Sequence, residues 1–327
     1  MSFASSERGR SVPASVVPAS GVWRRLLVLV GALLLASAAP ASAQDPSRTI
    51  EQHRAALAPP TADSVSQLVV LRNGTTLLGR TIAIVGDSVR FASNVGTVTF
   101  ALADVEEVRI VAAGDIRDGR YWFPNPNDTR LLFAPTARML RRGEGYFSSY
   151  YVFLPGVAYG VTDRFTIGGG ISLIPGVDLN DQLLYITPKI GLVDRENVQL
   201  AAGALVATIP FSDDNESFEA VGVLYGVGTM GSADRNLTLG LGFGFAGYDV
   251  ESSPAVMLGG QTRVSRRFAL VSENYYFPAV GDGALVSYGG RFMGERIAVD
   301  LGFFNLLGGD TDVIFPGIPF IGLVFNF

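Results

Sequence analysis

The chain has 327 residues, 48% of them hydrophobic, and a formal net charge of −5. It contains no cysteine, which excludes a lipoprotein anchor, a disulfide framework and thiolate metal ligation together. An acidic balance also argues against a nucleic-acid partner, which would call for a basic footprint.

Arg24-Arg25, the apolar run Leu26 to Ala39 and the small-residue stretch Pro40-Ala41-Ser42-Ala43 have the layout of a secretory signal peptide over residues 1–43, cleaved after Ala43. The run is short for a spanning helix, which needs about 20 apolar residues. Cleavage removes four basic residues and one acidic residue and leaves 21 against 29, a net charge of −8. Residues 44–64 read as a linker, with a short helix around Thr49 to Leu57 that Pro59-Pro60 stops.

Residues 65–113 read as a small β module. Leu68-Val69-Val70-Leu71 runs into Asn73-Gly74, a strong hairpin signal between apolar runs, and four more short strands follow by Val111. That density predicts a small five-stranded barrel of the SH3-like or Sm-like sort, and the segment resembles the Sm-like modules of many exported bacterial proteins. RNA-binding relatives cluster their basic residues, whereas Arg72, Arg80, Arg90 and Arg109 are scattered here, which favours a structural or protein-contact module.

Residues 114–128 are a connector, and from residue 129 to 327 the pattern is hairpin after hairpin. Between Leu237 and Tyr248, Leu237, Leu239, Leu241, Phe243 and Phe245 share one face, while Thr238, Gly240, Gly242, Gly244 and Ala246 share the other. An apolar face for lipid alternating with a small or polar face for a lumen is the pattern of a transmembrane β-barrel. The expected fold is therefore all-β, an antiparallel up-and-down barrel of about twelve strands. They are centred on 129–139, 146–160, 165–174, 183–193, 198–209, 219–230, 237–248, 255–264, 268–277, 284–293, 297–306 and 318–327. Short arginine-bearing turns such as Thr162-Asp163-Arg164 and Ser265-Arg266-Arg267 alternate with longer polar loops, as short periplasmic turns alternate with outer loops. Paired aromatics near strand ends, Tyr146-Phe147, Tyr275-Tyr276 and Phe303-Phe304 among them, predict an interfacial girdle. An even strand number places both barrel ends, and with them residues 65–113, in the periplasm.

Connector and barrel carry a set of motifs: Tyr121-Trp122-Phe123-Pro124-Asn125-Pro126-Asn127 with Thr129-Arg130, Gly143-Glu144-Gly145-Tyr146, Tyr159-Gly160-Val161-Thr162-Asp163 with Gly168-Gly169-Gly170, Thr187-Pro188-Lys189, Thr262-Arg263-Val264-Ser265 and Glu273-Asn274-Tyr275. On these the chain resembles a family of uncharacterised outer-membrane proteins of Gram-negative bacteria. The resemblance spans roughly residues 65 to 327 and implies location and architecture but no activity. Leu154-Pro155-Gly156 departs from that pattern and predicts a bulge.

Enzymatic chemistry finds little support. Barrel enzymes commonly use histidine as general base, and the single histidine, His53, falls in the linker. No enzyme, cofactor or metal is expected. The acidic clusters Asp213-Asp214-Glu216 and Asp310-Asp312 read as solvated loop charge.

The lumen is the better candidate site. With apolar positions outward, parity turns Lys189, Gln199, Gln261, Arg263, Glu273, Arg291 and Asp300 inward. Such residues either tune solute passage through a channel or pair to fill and rigidify the barrel. Arg263 with Glu273, and Arg291 with Asp300, are the expected pairs. The functional expectation is an outer-membrane barrel acting as a narrow channel for small solutes. The alternative is a non-conducting envelope protein whose periplasmic module binds a protein partner. The remaining partners are outer-membrane lipid and the barrel-assembly machinery, for which the terminal Phe327 resembles the recognition signal.

Overall fold

The computed structural model describes residues 46–60, 65–178, 181–208, 220–278, 283–308 and 315–327. The signal peptide and the two acidic clusters lie outside the described residues. The chain forms two compact units that meet in sequence between Ala112 and Ala113.

Among its described residues the first unit holds one α-helix, Pro46–Ala56, and the strands β1 (Val65–Leu71), β2 (Thr76–Val85), β3 (Ser88–Ser93), β4 (Gly96–Ala101) and β5 (Val105–Ala112). They make an antiparallel sheet in the order β4-β3-β2-β1-β5, with a single helical turn, Leu102–Asp104, joining the two edges. Gly74 turns the first hairpin at φ 82°, a conformation that costs a residue without a Cβ little. Leu57, Val69, Val89, Phe91 and Val105 are fully buried together. Gln67, also fully buried, donates to the carbonyls of Ala56 and Ala58 at 2.9 and 3.0 Å and accepts the Thr81 amide at 2.8 Å, so one side chain ties the helix end to the sheet.

In the second unit a two-stranded ribbon, β6 (Ile116–Arg117) and β7 (Arg120–Tyr121), precedes the barrel. The barrel strands are β8 (Gly145–Tyr150), β9 (Leu154–Thr162), β10 (Phe165–Ile171), β11 (Leu184–Ile186), β12 (Lys189–Arg195), β13 (Val198–Thr208), β14 (Ala220–Gly231) and β15 (Arg235–Ala246). A two-residue strand β16 (Asp249–Val250) pairs beside β15, and the ring continues with β17 (Ala255–Ser265), β18 (Phe268–Tyr276), β19 (Ala284–Met293), β20 (Ile297–Leu307) and β21 (Ile318–Asn326). Because β11 and β12 both pair with β10 and β13, they are two halves of one stave. With β21 paired to β8 and β8 to β9, twelve staves close on themselves and no sheet edge is left.

The outer face is apolar in the way the alternation predicts: Leu237, Leu239, Leu241 and Phe243 of β15 are 58%, 51%, 47% and 40% exposed, and Ile190, Leu258, Leu270, Phe292 and Ile321 continue the belt. A soluble monomer does not carry an apolar surface of this extent. The fold is a barrel of the outer-membrane type. Among the described residues no helix is long and apolar enough to cross a membrane.

The strand number agrees with expectation, but two of its members do not. Residues 129–139 are not a barrel strand; the first strand starts at Gly145. The stretch 146–160 is two strands, separated at Tyr151-Val152-Phe153. The two differences cancel in the count. The physical reason for the first is that Leu131, Leu132, Ala134 and Ala137 are buried on every side, with no lipid-facing partner set, so their apolar run belongs to a core. For the second, Tyr151 and Val152 take positive φ (50° and 68°) without the glycine or asparagine that usually signals such a turn. No bulge occurs at Leu154-Pro155-Gly156, whose register with β8 is regular. Nor do the aromatic pairs act together in a girdle. Adjacent residues of a strand face opposite sides, so Tyr146, Tyr275 and Phe304 turn inward.

Candidate functional site

The barrel has two rims. At one, β8 starts and β21 ends; the Gly145 amide donates to Phe327 O at 3.2 Å and the Phe327 amide to Gly145 O at 2.9 Å. This terminal rim carries the short turns, including Asp163-Arg164, Ser232 to Asp234 and Arg266-Arg267. The longer connections join strand ends at the far rim.

Residues 123–140 occupy the lumen, and the exposed turn 141–144 follows at the terminal rim. The segment enters past the terminal rim, folds back at Leu131 to Ala134, and leaves beside β9. The Leu131 amide donates to Ala134 O and the Thr136 amide to Thr129 O, both at 2.9 Å, which makes the tip a tight reversal. Walls on all sides hold it. Asn326 Nδ2 of β21 donates to Pro126 O at 2.8 Å, and the Ala137 amide donates to Thr229 Oγ1 of β14 at 2.9 Å. The Gly143 amide donates to Gly160 O of β9 at 2.9 Å. At Gly259 a Cβ would lie 2.5 Å from Leu131 Cδ1 and 2.6 Å from Ser272 O, so only glycine lets the tip approach this wall.

All seven polar residues that parity turns inward are buried, and the structure gives each a partner. Arg291 is the centre. Its Nε and Nη2 donate to Asp300 Oδ1 and Oδ2 at 2.7 and 2.9 Å, directly across the β19–β20 ladder. Its other N–H groups donate to Asn127 O (2.5 Å), Leu131 O (2.6 Å) and Gln261 Oε1 (2.8 Å). Asp300 Oδ2 also accepts from Asn127 Nδ2 at 3.2 Å. Gln261 Nε2 reaches Ala233 O of a terminal-rim turn at 2.6 Å. Lys189 Nζ donates to Thr136 O and Arg138 O at 3.2 and 2.6 Å, holding the returning arm of the inner segment. Gln199 bonds to Arg195 O and so braces its own turn.

The expected Arg263–Glu273 pair does not form. Arg263 pairs with Asp234 at 3.0 Å, donates to Phe123 O at 2.8 Å, and stacks on Trp122 and Phe123 with its guanidinium carbon 5.0 and 4.8 Å from the ring centroids. Glu273 accepts the Phe133 and Ala134 amides at 2.9 Å each and the Tyr275 hydroxyl at 2.5 Å. The reason is register. Arg263 faces Ala269 across the ladder while Glu273 faces Gly259, roughly 13 Å further along at about 3.3 Å per residue. The carboxylate thus caps the tip of the inner segment.

Sequence reasoning did not find the residues of the inner segment itself. Asn125 donates to Ala233 O at 3.1 Å and accepts the Asn127 amide at 3.0 Å. Arg130 donates through Nε to Asn127 Oδ1 (3.1 Å) and through Nη1 to Tyr150 (2.8 Å), lying over the Tyr146 and Tyr150 rings. The available signal was the motif Tyr121 to Asn127 with Thr129-Arg130: its Trp122 and Phe123 meet Arg263, a member of another motif, and its Asn127 meets Arg291 and Asp300 inside one lumen.

Beyond the tip the lumen opens into a cavity of about 710 Å³, lined among others by Phe133, Leu154, Leu205, Val223, Tyr225 and Phe304. His53, the single histidine, sits on the helix of the first unit. Among the described residues no group of three or more His, Asp or Glu side chains is placed to hold a metal.

No protein-family profile matches the chain, and no curated protein matches it in sequence. Solved structures similar to it include outer-membrane expressed OmpT of Vibrio cholerae, 14% identical, covering 83% of this chain and 100% of that one with a TM-score of 0.32. Another is a loop-L8 deletion mutant of the same outer membrane protein, also 14% identical, covering 80% and 96% with a TM-score of 0.31. At this degree of likeness no function passes from those proteins to this one.

Proposed function

We propose that this protein is an integral outer-membrane barrel sealed at its terminal rim by residues 123–140, and that it does not conduct as an open pore. Of the two roles weighed from the sequence, a narrow channel and a non-conducting envelope protein, the second is the one the lumen supports. The observation that carries it is the Arg291 fork, which binds the β20 wall through Asp300 and the inner segment through Asn127 O and Leu131 O at once. A segment that could swing aside would not be tied through a fully buried guanidinium.

The rest of the reading follows from location. A signal peptide, the lipid-facing belt and the terminal Phe327 fit export, outer-membrane lipid and the barrel-assembly machinery. Both barrel ends share one rim, which fits a periplasmic place for residues 65–113, an Sm-like module there contacting a protein partner, and membership of the outer-membrane family whose motifs the chain carries.

Reconstitution into planar bilayers tests the seal. The intact protein is expected to show no steady conductance, and a variant with residues 124–139 replaced by a short Gly-Ser linker is expected to conduct. Steady conductance by the intact protein would overturn the reading.

A further inference from the structure

We infer that the half of the lumen beyond the inner segment is a binding site for a single-chain amphiphile, with its anionic head held at Arg130 and its apolar chain directed toward the far rim. This rests on the sealed-lumen reading, since the tip of the inner segment is the floor of the site.

Three observations carry it. The first is size and lining. A space of about 710 Å³ falls within the range of about 300–1,000 Å³ typical of small-molecule sites. Its upper walls are aliphatic and aromatic: Leu205, Val223, Ala255, Leu285 and Phe304 stand near the far-rim ends of their strands. An empty space of that lining forfeits dispersion contacts that an alkyl chain would restore.

The second is the placing of the polar groups. Tyr146, Tyr150 and Tyr185 gather around Arg130. Arg130, about nine-tenths buried, borders the cavity between two tyrosine rings, their centroids 4.8 and 5.2 Å from its guanidinium carbon. Its Nε and Nη1 bond to neutral groups, Asn127 and Tyr150, and Nη2 has no hydrogen-bond partner among the described residues. The nearby carboxylate, Asp300, is already committed to Arg291 and Asn127. The hydroxyls of Tyr146 and Tyr185, both lining the cavity, bond to no protein group among the described residues. A guanidinium flanked by free hydroxyls suits a carboxylate or phosphate, which accepts from both kinds of donor.

The third is charge. Among the described residues the charged ones bordering the cavity are Arg130, Lys189 and Glu273. The Glu273 oxygens are taken by two backbone amides and Tyr275, so the carboxylate is satisfied and offers a cationic head little. Two cations against one committed carboxylate favour an anion.

The test uses folded full-length protein in a non-ionic detergent, with a fluorescent conjugated polyene fatty acid as probe. The probe is displaced by dodecanoate, dodecyl phosphate or dodecanol. Saturable binding is expected, with either anion displacing the probe at a concentration at least tenfold below that of dodecanol. Dodecanoate acting better than dodecyl phosphate would assign the site to free fatty acids, and the reverse to phosphate-bearing lipids; both uphold an anionic head. Arg130→Met should remove the anion preference and leave dodecanol unchanged. Ala255→Trp, which fills the upper wall, should abolish binding of all three while the protein still shows the heat-modifiable migration of a folded barrel. Absence of saturable binding, equal displacement by dodecanol and the anions, or unchanged binding in Ala255→Trp would overturn the proposal. The head-group comparison stands on the unaltered protein, so it decides even if Arg130→Met does not fold. Conductance by the intact protein would instead remove the sealed lumen and leave the titration result to stand separately.

Discussion

Arg291 has no exposure to solvent and carries a full charge, a combination that is costly unless every donor is met. A guanidinium has five N–H groups. Here they find Asp300 Oδ1 and Oδ2, Asn127 O, Leu131 O and Gln261 Oε1. Removing the arginine leaves Asp300 charged and buried with only Asn127 for company. Arg291→Met is expected to cost about 3–5 kcal/mol, the usual range for breaking a buried pair. The double change Arg291→Met with Asp300→Leu should recover a good part of it, because no charge is then stranded. Urea unfolding of the unaltered protein, Arg291→Met, Asp300→Leu and the double variant measures the difference. Glu273→Gln is the companion case. An amide keeps one acceptor for the Phe133 and Ala134 amides but loses the charge, and a drop of about 2 kcal/mol is expected from the strength of hydrogen bonds to charged groups. A thermal midpoint unchanged within error would mean that Glu273 does not hold the tip.

At the scale of elements, two features separate this barrel from a plain alternation of strands. The inner segment buries Leu131 and Leu132 completely, against side chains that also include Val227, Met257 and Val271 from the walls. Leu131→Ala should destabilise the fold by about 2–5 kcal/mol, as truncations in a packed core do. The same change on the lipid face, at Leu239, should matter far less. The β8–β9 turn is the other feature. Val152 at φ 68° is β-branched, and the left-handed region costs such a residue about 1–2 kcal/mol. Val152→Gly is therefore expected to raise stability by about 1 kcal/mol, visible as a shift of the urea midpoint to higher concentration. Its position is exposed, so no packing is lost in exchange.

For the whole molecule, closure joins the last strand to the first, β21 to β8. Phe327 completes that seam through its backbone bonds to Gly145, and its ring lies where a Cβ on residue 145 would come within 2.6 Å. Deleting Phe327 should lower the amount of heat-modifiable protein in the outer membrane, and normal levels would defeat this. Topology follows from the same closure. Epitope tags within residues 212–217 and 308–317 should be labelled on intact cells, and a tag within residues 65–112 should not. Labelling of the last would reverse the orientation.

The sequence by itself determined the class of fold and the face on which most side chains lie. Period-two alternation is a local property of a strand, and it survives in β15, where Leu237, Leu239 and Leu241 meet the outside and Thr238 and Gly240 the lumen. It likewise turned Arg291 and Asp300 inward on paired strands. Only the tertiary structure decided what those charges do. An apolar run such as Leu131-Leu132-Phe133-Ala134 reads the same whether it faces lipid or the interior of a barrel, so residues 129–139 read as a strand when they belong to the segment inside the barrel. The partner of Glu273 is likewise not on a neighbouring strand, where register could have named it. It is a pair of backbone amides from a segment 139 and 140 residues away in the chain, and backbone amides leave no trace in side-chain pattern.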